Sequence, residues 1–72
     1  MCFKIKFIYK VNKDVIFNYM DKNNLNINEF CNICNITITE FSDIMKNKPF
    51  VDTIIFAKII KLLNIKLNDL LM

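Results

Sequence analysis

Two four-residue phrases constrain this chain more than anything else in it. Asn26-Ile27-Asn28-Glu29 and Thr37-Ile38-Thr39-Glu40 each set a capping side chain three residues ahead of a glutamate. In that pattern the cap accepts from the backbone of the third helical residue, and the glutamate accepts from the backbone of the cap. Each phrase therefore opens a helix, and the second limits the length of the first. A helix is predicted from Ile27 to about Cys34, with Phe30, Cys31 and Cys34 inward and Asn35 at its end. Another is predicted from Ile38 to about Lys46, with Phe41, Ile44 and Met45 as its apolar stripe. Only Asn35-Ile36-Thr37 separates them. Two short capped helices with so tight a join are the local signature of a helix-turn-helix.

The flanking segments read as follows. Phe3, Ile5, Phe7, Tyr9 and Val11 alternate with Lys4, Lys6, Ile8 and Lys10, the period of a half-buried strand over residues 3–11. After Asn12, the expected N-cap, Val15, Ile16, Tyr19 and Met20 recur at helical spacing, and this helix ends near Asn23-Asn24. Asn47 to Val51 reads as a loop, because Pro49 cannot continue a helix and disfavours helical geometry at Lys48. Asp52 caps a fourth helix, about Thr53 to Leu63, with Phe56, Ile59, Ile60 and Leu63 inward; Asn64 ends it, and Leu67 to Leu71 makes a last short turn. The division is thus an N-terminal strand at 1–12 and a helical domain at 13–72. The expected core is Ile16, Tyr19, Phe30, Cys31, Ile36, Phe41, Ile44, Phe56, Ile59, Ile60, Leu63, Ile65 and Leu70.

Composition narrows the function. A chain of 72 residues holds one domain, and its hydrophobic fraction of 54% compensates for a core that such a length keeps small. The net charge of +3 permits nucleic acid without demanding it. All ten basic residues are Lys, and His and Gly are absent. No apolar run approaches the ~18 residues a membrane helix needs, and the N-terminus does not read as a signal peptide, so a cytosolic protein is expected. Without His or a glycine-rich phosphate loop, neither catalysis nor a cofactor is expected. Cys31-Asn32-Ile33-Cys34 has CxxC spacing, but one such pair is not a zinc site. Both sulfurs fall on the inner helix face and read as small hydrophobes, and Cys2 suggests no role.

The run from about Val15 to Leu70 resembles the phage-repressor (Cro-like, XRE) helix-turn-helix family. The resemblance is carried by Asn24-Leu25-Asn26 before the second helix, and by Phe30-Cys31 where the family has a large apolar residue and Ala. Asn35-Ile36 stand where it has Gly and an aliphatic, and Phe41 and Ile44 match its buried positions. Ile59 to Leu70 matches its ending. The resemblance implies a mainly α, lambda-repressor-like bundle of four to five short helices, here with an N-terminal strand. It also implies binding of double-stranded DNA to regulate transcription, with the helix at about 38–46 in the major groove. Carried over, the base-facing positions are Ile38, Thr39, Glu40, Ser42 and Asp43, with Ile27 where the family often has Gln. Phosphate contacts fall to Asn26 and Asn28 and to Lys46, Asn47 and Lys48, and Thr37 is counted among the DNA-binding residues.

Several residues carry two readings. Glu40 either reads a base or closes its capping box with Thr37. Asp43 is a base reader or a solvated charge, and Lys46 and Lys48 clamp phosphate or favour the helix dipole. Ile54 and Ile55 sit where the family is polar; they pack under the strand or form a subunit contact. The strand of residues 3–11 has no second strand of matching length to pair with. It is expected to pair with a second copy, making a homodimer, or to fold back against the extended loop near Phe50. The second functional class is a protein-interaction module on the same fold.

Overall fold

The absence of glycine decides how the helices of this protein end. A helix commonly terminates at a left-handed residue, a conformation that costs a side-chain-bearing residue energy and that Asn tolerates best among them. In the computed structural model, which describes residues 4–6 and 8–71, that position is Asn four times: Asn24, Asn35, Asn47 and Asn64 have φ of 54°, 61°, 56° and 56°. Each is followed by a backbone bond reaching back across the last turn. These are Leu25 to Met20 at 2.8 Å, Ile36 to Cys31 at 3.0 Å, Lys48 to Asp43 at 3.1 Å and Ile65 to Ile60 at 3.1 Å. The helices so closed are α1 (Lys13–Lys22), α2 (Ile27–Cys34), α3 (Ile38–Met45) and α4 (Ile54–Leu63), followed by the short α5 (Leu67–Leu70). This is a small, mainly helical domain with a Cα radius of gyration of 11.4 Å, against about 11 Å expected for a compact chain of its length.

Both capping boxes form as read. Glu29 N donates to Asn26 Oδ1 at 2.8 Å and Asn26 N to Glu29 Oε1 at 2.9 Å. Glu40 N donates to Thr37 Oγ1 at 3.0 Å and Thr37 N to Glu40 Oε1 at 2.8 Å. Asn12 does not cap α1 with its side chain. Instead its backbone N–H donates to Leu70 O at 2.7 Å and its amide to Asp69 O at 3.4 Å, tying the start of α1 to α5. Asp52 does its expected work through Ile54 N, 3.1 Å from Oδ1, although Thr53 stands at the formal cap position.

The strand reading needs correction. Among the described residues, β1 covers Lys4–Lys6 only and pairs antiparallel with β2, Phe50–Asp52, in the register Lys4↔Asp52, Ile5↔Val51, Lys6↔Phe50. Phe3 and Phe7 lie outside the described residues. Of the two outcomes expected for this segment, the pairing seen is the fold-back on its own chain near Phe50, not one with a second copy, and the end of the loop at 47–51 forms part of β2. Past the turn that Asn47 closes, Pro49 disfavours helical geometry at Lys48 and so keeps α3 from resuming, which suits a strand as well as a loop. The alternation does persist beyond β1: Tyr9 and Val11 are buried while Ile8 and Lys10 are exposed, and Val11 makes an isolated bridge to Leu71.

Phe30 sits at the centre of the core, in edge contact with Tyr19 of α1 (6.2 Å between ring centroids) and Phe41 of α3 (5.7 Å). Ile16, Ile44, Ile59 and Leu70 are fully buried around it. Four expected core residues, Tyr19, Ile60, Leu63 and Ile65, are only half-buried, packed at the margin. The core gains Tyr9, Val11, Met20, Cys34, Val51 and Ile55. Ile54 and Ile55 separate: Ile55 joins the core and Ile54 stays exposed. No helix among the described residues is long and apolar enough to cross a membrane.

Candidate nucleic-acid interface

Burial of Phe41 and Ile44 turns the opposite side of α3 outward. Thr39, Ser42, Asp43 and Lys46 follow the spacing of one helical stripe, i, i+3, i+4 and i+7, and form that outer side. Ile38 flanks it and is 53% exposed. Thr39 and Lys46 are exposed, whereas Ser42 and Asp43 are half-buried. At the neighbouring start of α2, Asn26, Ile27 and Asn28 are exposed, Ile27 by 43%. The predicted residues thus occupy the outer side of α3, the start of α2 and the turn after α3, except Thr37, the N-cap of α3, and Glu40, which is half-buried off that stripe.

Their chemistry is more committed than the sequence suggests. One oxygen of Glu40 accepts from Thr37 N, so the capping reading describes what this carboxylate does in the free protein. Asn26 Oδ1 and Thr37 Oγ1 are likewise occupied as acceptors. Asp43 pairs with Lys48, Nζ to Oδ1 at 3.3 Å, which offsets one of the two cations of the turn. Asn47 differs from its expected role most: its Oδ1 accepts from Val11 N at 2.8 Å, a bond between residues 36 apart in sequence. That bond lays the segment carrying Tyr9 and Lys10 beside the end of α3. Burial, and secondarily the Asp43 charge, raise the Tyr9 hydroxyl above the usual phenol range, which agrees with that placement.

The Cys31/Cys34 pair lies away from this face in character. Both are buried free thiols. Burial is the main cause that raises each above the ordinary thiol range, with the nearby Glu40 charge adding to it at Cys31. At Cys34 the charge of Cys31 adds and Lys58 subtracts, leaving the group pushed up to about 11. Redox-active thiols show the reverse shift. No group of metal-binding side chains occurs among the described residues, and Cys2 lies outside them. A raised folded-state value means that the native state holds the proton more tightly than the unfolded chain. The stability tied to Cys34 is therefore complete below the ordinary thiol value of 9.0 and is lost as pH rises toward about 11. The urea midpoint is expected to fall across that window, and part of the fall should vanish in Cys34→Ala; an identical pH profile in the variant contradicts this.

Lys10 is the residue that sequence reading passed over. Alternation turned it outward, but only the Asn47 contact shows which surface it joins. No protein-family model matches the chain, and no curated protein and no solved structure matches it either.

Proposed function

We propose that this protein is a helix-turn-helix DNA-binding regulator that works in the cytosol and enters the major groove with α3. The observation that carries the reading is the α2–Asn35-Ile36-Thr37–α3 unit: two eight-residue helices, each with a complete capping box, joined through a left-handed Asn35. Its outer side offers hydroxyl and methyl groups for base edges at Thr39, Ser42 and Ile38. Exposed lysines follow at 46 and 48, where backbone contacts fix register. The first turn of α2, with Asn26 and Asn28 exposed, faces a second phosphate.

A second copy is the proposed protein partner. Among the described residues no third strand pairs with β1, and Ile8, two residues beyond it, is 90% exposed. A two-fold dimer presents two reading helices to two half-sites. Light scattering that reports a monomer at micromolar concentration counts against this part.

The test of DNA binding is fluorescence anisotropy with AT-rich duplex over a salt series. Counterion release makes affinity fall steeply with salt, with a slope of about −0.9 per phosphate contact. Lys46→Ala is expected to weaken binding to all sequences alike and to flatten the slope by about 1, whereas Thr39→Ala relaxes sequence preference. Asp43→Asn is expected to strengthen binding, since it releases Lys48 and removes a charge that phosphates repel. The other reading, a protein-interaction module, is favoured by the exposed Ile27 and Ile38 and by the Asp43–Lys48 pair, which lowers the positive potential of the face. Absence of binding to every duplex at low salt decides for it.

A further inference from the structure

We infer that Lys10 belongs to the phosphate-binding edge at the end of α3, and that Asn47 is the positioning residue that holds it there. The inference rests on the DNA reading above and extends it to a segment outside the helical motif.

The backbone around Lys10 is stitched on several sides. Tyr9 is buried in edge contact with Phe56, 5.2 Å between ring centroids. Val11 is buried, bridges Leu71 and donates its N–H to Asn47 Oδ1; Asn12 N donates to Leu70 O. Lys10 lies between two buried neighbours and is itself exposed, so its side chain has only the outward direction. The bond to Asn47 lands in the middle of Lys46-Asn47-Lys48, whose two lysines are also exposed. Three ammonium groups therefore issue from two adjoining backbone segments, and one of them, that of Lys48, is paired with Asp43.

Asn47 is at φ 56°, which its place at the end of α3 explains. Closing that turn requires nothing of its side chain, yet Oδ1 is spent on a backbone donor from the far end of the chain. An oxygen so placed does not contact phosphate. What it does is fix where Lys10 begins. The chemistry that such an edge recognises is a row of phosphodiesters, one strand of a duplex backbone running past the C-terminal end of α3.

The experiment is a salt series of anisotropy titrations with the full chain and AT-rich duplex. Lys10→Ala is expected to lower the slope by about 0.9 and to weaken binding about fivefold near 0.15 M salt, the loss of one phosphate contact. Lys10→Arg keeps the slope. Lys66→Ala removes the same charge from an exposed position at the start of α5 and is expected to leave the slope unchanged. Asn47→Gly preserves the left-handed backbone and removes the acceptor. It is expected to reproduce the loss seen in Lys10→Ala, with the double variant no weaker than either single one. A wild-type slope in Lys10→Ala, while the wild type binds, overturns the role of Lys10 and leaves the DNA reading standing. Additive losses in the double variant overturn the role of Asn47. If the wild type binds no duplex at low salt, both the DNA reading and this inference fall.

Discussion

Phe41→Ala is expected to destabilise the protein by about 3–5 kcal/mol, the cost of deleting a buried phenyl ring and leaving a cavity. Phe41 is 4% exposed, and its ring meets that of Phe30 at 64°, an edge-to-face contact. Phe30 in turn touches Tyr19, so the loss is felt by α1, α2 and α3 together. A single core in a chain of this size rarely supplies more than about 3–5 kcal/mol of net stability. The variant is therefore expected to be largely unfolded at room temperature, with weak helical circular dichroism and no cooperative urea transition. A melting curve like that of the wild type contradicts the core described above. In the milder pair Phe30→Leu and Phe41→Leu, a double-mutant cycle is expected to return about 0.5–1.5 kcal/mol of coupling for the ring contact.

Deleting residues 1–11 is expected to unfold the helical domain. A strand that only joined two copies would leave a folded monomer behind when removed. Tyr9 and Val11, however, are core residues of this chain, 9% and 2% exposed. Burial of a Val side chain contributes about 1.5–3 kcal/mol, and removal of a buried aromatic costs about 3–5 kcal/mol, so the two together match the whole stability of a small domain. The deletion also strips β2 of its partner and exposes the surfaces of Phe56 and Leu71 that the segment covers. Dye binding to exposed apolar surface, or precipitation on expression, is the expected result. A soluble truncated chain with full helical content and a sharp melting transition would restore the view of residues 1–11 as a separable arm.

These expectations differ in how much of them could be read from the chain alone. The boundaries of α2 were legible to the residue, because Asn26, Glu29 and Asn35 act within one or two turns. α3 was legible except for its last residue, and α4 except for its first, since helix ends depend on which neighbour takes the free backbone group. The outward side of α3 followed from Phe41 and Ile44. Less legible was the state of the groups on it. Nothing local required Asp43 to pair with Lys48, or Asn47 to turn its oxygen toward Val11.

The sequence by itself determined the helices and their ends. Capping boxes and left-handed Asn residues satisfy backbone groups within a few positions, and helical periodicity selects one apolar face, so local energies suffice. Only the tertiary structure decided where residues 4–6 and 8–11 go. Their alternation required some partner strand, and the extended run near Phe50 was too short to be preferred from sequence over a second copy. The choice was made by burial: with Val51, Ile55 and Phe56 already in the core, docking Tyr9 and Val11 there removes more apolar surface from water than leaving them exposed. The backbone bonds to Asn47, Leu70 and β2 then satisfy donors and acceptors that an undocked segment would leave to solvent.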